Sequence, residues 1–206
     1  MYPEFSVPGV KPEDTWRLFN TSNYRYYKQT VADLKAGKCP FCEIDPKINK
    51  VLFENDHWRL WINGIAPRPG QTCQLIIPSK NHIERISEMT REEWTSLYDI
   101  FAWARANMDV EVADEGVLVL RSGPAWKNAK SVPHLHVNFQ APTGKDRVEV
   151  TIAKSEEDLK KKLPVLQAFE KYRVAEEAGE HIPEGALTPE EWLLIKDKME
   201  PPKTAR

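Results

Sequence analysis

Two histidines stand one residue apart, His134 and His136, and Asn138 follows at the same step. Apolar and polar residues alternate from His134 to Phe139, the period of a strand with two unlike faces. Leu135, Val137 and Phe139 are expected to face a core. His134, His136 and Asn138 are expected to share the other face, each roughly 6.6 Å from the next. Neutral imidazole binds metal or attacks an electrophile near pH 7, so this row can carry chemistry. A strand also carries polar residues on a wet face with no further purpose, and local sequence does not separate the two readings.

A second set lies far upstream at Cys39-Pro40-Phe41-Cys42. The C-x-x-C spacing lets two thiolates approach one zinc from a tight turn. The same spacing serves redox pairs, which follow a strand and open a helix. Here the motif follows a helical pattern and Gly37-Lys38, which favours metal, and two further ligands are then required. Three cysteines, an odd number, argue against a disulfide framework. His82, four residues past Pro78, reads locally as a loop or helix-cap residue.

The elements that must position these residues follow from periodicity. Tyr24, Tyr27, Val31 and Leu34 predict a helix over 23–35, ended by Gly37. Residues 1–20 read as an arm with no clear period. Lys50–Glu54 and Trp58–Ile62 flank Asn55-Asp56 as a hairpin. Gln74–Ile77 reads as a buried strand ended by Pro78. Thr90 and Glu93 form a capping box for a helix of about five turns. Its stripe of Trp94, Leu97, Tyr98, Phe101, Ala104 and Ala106 or Met108 is assigned to the core. Gly116–Leu120 reads as a buried strand, 121–130 as a loop and 147–152 as an edge strand. Beyond Ser155 the pattern is helical, with Pro164 expected to kink or split the helix and Thr188-Pro189 to start the last one. The charged residues there read as a solvated face.

At 206 residues and net charge −2 the chain suits one generous domain with extensions. No basic excess points to duplex nucleic acid, and no long apolar run suits a membrane span. The opening residues lack a basic-then-apolar pattern, so the cytoplasm is the expected location.

Taken together, Cys39-x-x-Cys42, Pro78-x-x-x-His82 and Ser131-x-Pro133-His134-x-His136 resemble the histidine-triad superfamily, over roughly residues 39–141. The likeness includes its galactose-1-phosphate uridylyltransferase and dinucleoside-polyphosphate phosphorylase branches. The resemblance implies an α+β fold: an antiparallel sheet of about five strands with packed helices. It divides the chain into an N-terminal arm and helix (1–38), a catalytic domain (39–153) and a helical appendage (154–206). It implies that His136 attacks the α-phosphorus of a nucleotide, and that Cys39, Cys42, His82 and His134 hold a structural zinc. Ser131 matches the serine whose hydroxyl meets the phosphate. Donors around the phosphate would come from Ser131, Asn138 and the preceding backbone, with help from Lys127, Lys130 and Arg121. A nucleotide or dinucleotide substrate and a homodimer are implied in the same way.

The chain departs from the family at Asn138, where hydrolases have His and transferases Gln. An Asn amide cannot serve as a general acid, and it sits roughly 1.5 Å nearer the backbone than a Gln amide. Cys73 stands where many family hydrolases have His and reads as a small buried thiol. Trp126-Lys127-Asn128 makes the loop before Ser131 bulkier than usual. The expected function is a nucleotidyl hydrolase or transferase. The alternatives are a nucleotide-binding regulatory protein without turnover and a zinc-stabilised interaction module.

Overall fold

A computed structural model describes residues 5–64, 70–124, 126–179 and 187–199. A 3₁₀ segment spans Pro12–Asn20 and leads into helix α1, Tyr24–Ala36. Strands β1 (Phe53–Glu54), β2 (Arg59–Ile62) and β3 (Gln71–Pro78) follow. Then come α2 (Arg91–Asn107), α3 (Val110–Ala113), β4 (Val117–Leu120) and β5 (His136–Pro142). Helices α4 (Glu156–Glu177) and α5 (Pro189–Ile195) complete the order. The protein is α+β, with a five-stranded sheet of order β1-β2-β3-β5-β4 in which every pairing is antiparallel.

The chain divides into two compact units. The sheet unit holds Cys39–Pro124 and Val132–Ile152. One face of its sheet presents Leu75, Ile77, Val137 and Phe139 to Leu97, Ile100 and Ala104 of α2. Helix α2 starts at Thr90, whose side chain accepts from the Glu93 N–H while the Glu93 carboxylate accepts from the Thr90 N–H. The Trp58 indole N–H donates to the Glu93 carbonyl at 2.7 Å, which ties the helix start to the hairpin. The other sheet face is covered by the segment around the two cysteines, where Phe41, Trp61 and Val132 pack with Ile44, Val51 and Ile76.

That second layer covers the polar face of β5. His134 is 0% exposed, His136 8% and Asn138 5%. Period-two alternation distinguishes two faces but cannot say that a distant segment folds over the polar one. The α2 stripe is corrected. Leu97, Ile100 and Ala104 are buried, whereas Trp94 and Tyr98 are 54% and 74% exposed. Steps of three and four residues from Glu93 select the buried set, and Trp94 and Tyr98 fall beside it. Strand β4 is an edge strand with Val117 and Leu118 exposed, not a buried one. It begins after Gly116, where a Cβ would lie 2.5 Å from the Gln140 carbonyl oxygen, so only glycine fits. Residues 147–152 form no strand. Ile152 is exposed, and Val148 and Val150 are only half-buried.

The helical unit draws on Met1–Lys38, Ala125–Ser131 and Ala153–Lys203. Asn23 caps α1 by accepting from the Tyr26 N–H at 2.9 Å, and Gly37 closes it in the left-handed region at φ +65°. Leu18, Phe19, Tyr24, Tyr27 and Val31 pack with Leu166, Phe169 and Ile195. The 3₁₀ segment supplies Leu18 and Phe19, where the sequence had suggested an arm. Helix α4 is not split at Pro164 and runs through it. The proline is on the exposed side, where water can take the carbonyl it leaves unpaired. Thr188 and Glu191 form the capping box of α5, with Pro189 at its first position. Among the described residues no helix is long and apolar enough to cross a membrane.

Candidate functional site

Four side chains from three separated stretches meet in the sheet unit. The ligand atoms of Cys39, Cys42, His82 and His134 all lie within 4.8 Å of one another. Cys39 and Cys42 share a tight turn, in which the N–H groups of Cys42 and Glu43 both donate to the Cys39 carbonyl. His82 follows β3, and His134 precedes β5. Antiparallel pairing of β3 with β5 sets Pro78 opposite His136 and so brings the two histidines to the same end of the sheet. Cys39 Sγ is 3.4 Å from His134 Nδ1, Cys42 Sγ 3.5 Å from the same nitrogen, and Cys42 Sγ 3.2 Å from His82 Nδ1.

The tautomer of His134 is set from behind. Its Nε2 donates to the Ser79 carbonyl at 2.8 Å, and the Ser79 hydroxyl lies 3.2 Å away. The proton therefore sits on Nε2 and the Nδ1 lone pair faces the sulfurs, the arrangement a metal-binding histidine requires. Burial, followed by the hydrogen bond and charge of Cys39, pushes the Cys42 thiol up to about 11. A cation among the sulfurs would reverse that penalty by stabilising thiolates. The cluster fits a metal in donor type and in spacing.

His136 stands one strand repeat further on and is held in the opposite sense. Its Nδ1–H donates to the His134 carbonyl at 2.8 Å, which leaves Nε2 as the lone-pair nitrogen. The Phe41 ring packs edge-on against it with centroids 5.0 Å apart, and also lies 5.7 Å from His134 and 5.6 Å from Trp61. Phe41, one of the two residues between the cysteines, thus packs against both histidines. Asn138, the next on this face, accepts at Oδ1 from Gln74 Nε2 at 2.7 Å. Its own Nδ2 has no acceptor among the described residues, and neither does the buried Trp61 Nε1.

The remaining candidates fall elsewhere. Ser131 and Lys130 belong to the helical unit. The Ser131 hydroxyl pairs with the Tyr26 hydroxyl, and Arg17 Nε donates to the Ser131 carbonyl at 2.8 Å. Asn20 Nδ2 donates to the Lys130 carbonyl at 3.1 Å. Lys130 is buried. Lys127 is exposed in the same unit, and Arg121 of the sheet unit donates to the Thr151 carbonyl at 2.9 Å. Cys73 is a buried thiol, and burial pushes its pKa up. A cleft of about 480 Å³ lies between the β1–β2 turn and the start of α2, lined by Asp56, His57, Arg91 and Asp99 among others, and holds none of the candidates.

Sequence reasoning missed Phe41, Ser79, Gln74 and Asn63. Gln74 carried a usable signal, as one polar residue inside the run Cys73–Ile77 and in phase with Ile76 and Pro78.

Fold and site together define an α+β protein whose antiparallel sheet carries a two-cysteine, two-histidine cluster beside a third histidine of fixed tautomer. Among solved structures, the chain is similar to a zinc-bound histidine-triad family protein from Mycobacterium smegmatis, with 16% identity, 70% of this chain and 99% of that one covered, and a TM-score of 0.41. It is similar to a HIT family hydrolase from Legionella pneumophila, with 23% identity, 54% and 96% covered, and a TM-score of 0.39. A Plasmodium falciparum diadenosine triphosphate hydrolase in complex with cyclomarin A matches at 16% identity, 62% and 78% covered, and a TM-score of 0.36. These values carry no residue's role and no substrate across to this chain. No family model matches the chain. No curated protein matches it either.

Proposed function

We propose that the protein is a nucleotidyl hydrolase or transferase acting at the α-phosphate of a nucleoside polyphosphate, dinucleoside polyphosphate or nucleotide sugar. The observation that supports this most is the 2.8 Å hydrogen bond from His136 Nδ1 to the His134 carbonyl, which leaves Nε2 as a nucleophile of fixed direction. In the first half-reaction a bond forms from Nε2 to the α-phosphorus. The bond from phosphorus to the leaving oxygen breaks, and its electron pair departs with that oxygen. In the second, water or a phosphate oxygen attacks the same phosphorus. The N–P bond breaks and Nε2 regains its lone pair. The Asn138 amide can donate a hydrogen bond but not a proton, which suits a leaving group that departs as an anion.

Zinc is the metal this reading assigns to Cys39, Cys42, His82 and His134. A tetrahedral site with Zn–S of about 2.3 Å and Zn–N of about 2.05 Å separates S from N by about 3.6 Å. The sulfur–nitrogen separations here are 3.2 to 3.5 Å. Four protein ligands leave no open position, so the ion would supply cross-linking of three chain segments, not Lewis-acid chemistry.

The test is covalent trapping. Protein incubated with α-³²P-labelled ATP, a labelled dinucleoside polyphosphate or a labelled nucleotide sugar, and quenched in base, is expected to retain label, and His136→Ala to retain none. No label from any of the three, or equal label in His136→Ala, would defeat the covalent mechanism. Asn138 at the position of a general acid favours a second reading, nucleotide binding without turnover. Saturating nucleotide that raises the melting temperature with no product after long incubation would establish it instead.

A further inference from the structure

Three side-chain amides run head to tail across the polar face of the sheet. Asn63, just past β2, donates from Nδ2 to Gln74 Oε1 at 3.0 Å. Gln74, on β3, donates from Nε2 to Asn138 Oδ1 at 2.7 Å. The Asn63 backbone N–H also donates to the Gln74 carbonyl at 2.8 Å, which fastens the start of the chain to β3. Asn138 closes it on β5, 5% exposed, with Nδ2 finding no acceptor among the described residues. Asn138 and His136 share this face, roughly 6.6 Å apart along the strand.

The direction of such a chain matters. An isolated primary amide can rotate by half a turn and exchange its oxygen for its nitrogen, because the terminal torsion is roughly two-fold. A neighbour that donates to the oxygen removes that freedom and leaves the N–H groups for another partner. A phosphoryl oxygen accepts hydrogen bonds and repels a carbonyl oxygen. A buried N–H without an acceptor costs free energy until one arrives, so this amide is already organised for an anionic oxygen.

We propose that Asn63 and Gln74 are positioning residues that fix Asn138 as a hydrogen-bond donor to the departing phosphate oxygen. This limits the substrates to those whose leaving group departs as a phosphate or pyrophosphate anion. The inference rests on the nucleotidyl-transfer reading and deepens it. The electron pair of the broken P–O bond stays on the departing oxygen, and the Asn138 proton stays on nitrogen. Leaving groups that need a proton, such as alcohols and amines, are excluded because no acid stands at this position.

Glutamate at position 74 offers only acceptors when ionised, so Gln74→Glu would turn Asn138 Nδ2 inward and present its oxygen to the substrate. Gln74→Met would release the amide without reversing it. With ATP as substrate, kcat is expected to fall about 100-fold in Gln74→Glu and about 10-fold in Gln74→Met, with KM within about threefold, the pattern of a lost transition-state donor. A second readout needs no turnover. On titration with AMP, the side-chain amide protons of Asn138 are expected to shift in the NMR spectrum of the wild type and not in Gln74→Glu. Gln74→Glu with unchanged kcat, or wild-type Asn138 protons indifferent to saturating AMP, would overturn the inference. If His136→Ala abolishes covalent labelling while both Gln74 variants turn over normally, the relay is wrong and the nucleotidyl reading stands. Labelling that survives in His136→Ala removes the foundation of both.

Discussion

The two units surround their buried polar groups with different chemistry. In the helical unit, carboxylates meet the buried Arg173, Tyr24 and Tyr27. The Arg173 guanidinium is paired with Glu170 at 2.6 Å and with Glu177 at 2.5 Å. Tyr27 donates to Glu170 at 2.8 Å and Tyr24 to Glu176 at 2.6 Å. Burial, then these carboxylates, push both phenols well above their usual range, while the hydrogen bond from Tyr24 holds Glu176 low. In the sheet unit, two buried N–H groups of Trp61 and Asn138 have no acceptor among the described residues, and two thiols lie together with two imidazoles. The helical unit pairs a buried guanidinium and two phenols with carboxylates, whereas the sheet unit sets buried donors beside a cluster of metal-ligand atoms. Satisfied networks make a scaffold, whereas unsatisfied ones mark where a ligand or ion belongs.

The sharpest way to break that comparison is at the metal cluster. Cys39→Ser is expected to abolish stoichiometric zinc and to lower stability by at least about 3 kcal/mol, because the binding free energy of a structural zinc is folding free energy. A chelator should lower the melting temperature of the wild type and leave that of Cys39→Ser almost unchanged. Zinc-free wild type of unaltered stability would mean that the cluster is not structural.

The matching experiment in the helical unit removes a partner instead of a ligand. Arg173→Ala would leave the largely buried Glu170 carboxylate without its cation. A loss of about 3 kcal/mol is expected by denaturant unfolding, insensitive to zinc. Adding Glu170→Gln should recover much of it, since the orphaned charge is then gone. Equal losses in the single and double variants would contradict the pairing.

A smaller effect tests a lysine of the helical unit whose charge is held in check by burial. Burial first, then Lys154 and Lys198, hold Lys162 down at about 8, and its ammonium lies 5.8 Å from the centre of the Phe169 ring. Between about pH 8 and 10.5 the unfolded chain binds this proton and the folded one does not. Stability should therefore rise with pH across that window. Lys162→Met should flatten the rise and stabilise the protein at pH 7 by about 1 kcal/mol once solvent screening is allowed for. A pH profile unchanged by the substitution would show that Lys162 is solvated in the ordinary way.

Much of this was legible in the residues. Helix α1 and the caps of α2 and α5 followed from short-range spacing, because a cap bonds within three residues of itself. The four metal-ligating candidates were all named in advance, and the structure brings them together. The misassignments share a cause. Trp94 and Tyr98 on α2 and the strand 147–152 were read from apolar pattern alone, and pattern does not reveal what covers it. Trp94 and Tyr98 stay outside because they fall off the row of Leu97, Ile100 and Ala104 that meets the sheet. Ser131 has the Tyr26 hydroxyl and the Arg17 guanidinium as partners, and no local signal joined residues so far apart in sequence.

By itself the chain determined which atoms could do chemistry: two sulfurs on one turn, imidazoles in strand register, and an amide where an acid could have stood. Only tertiary structure decided which nitrogen of each ring carries the proton, that Phe41 lies against His136, and that Gln74 directs the Asn138 amide. The reason is range. Periodicity reports neighbours within one element, while a tautomer or an amide orientation is set by a single partner, and His134 meets Cys39 across 95 residues of sequence.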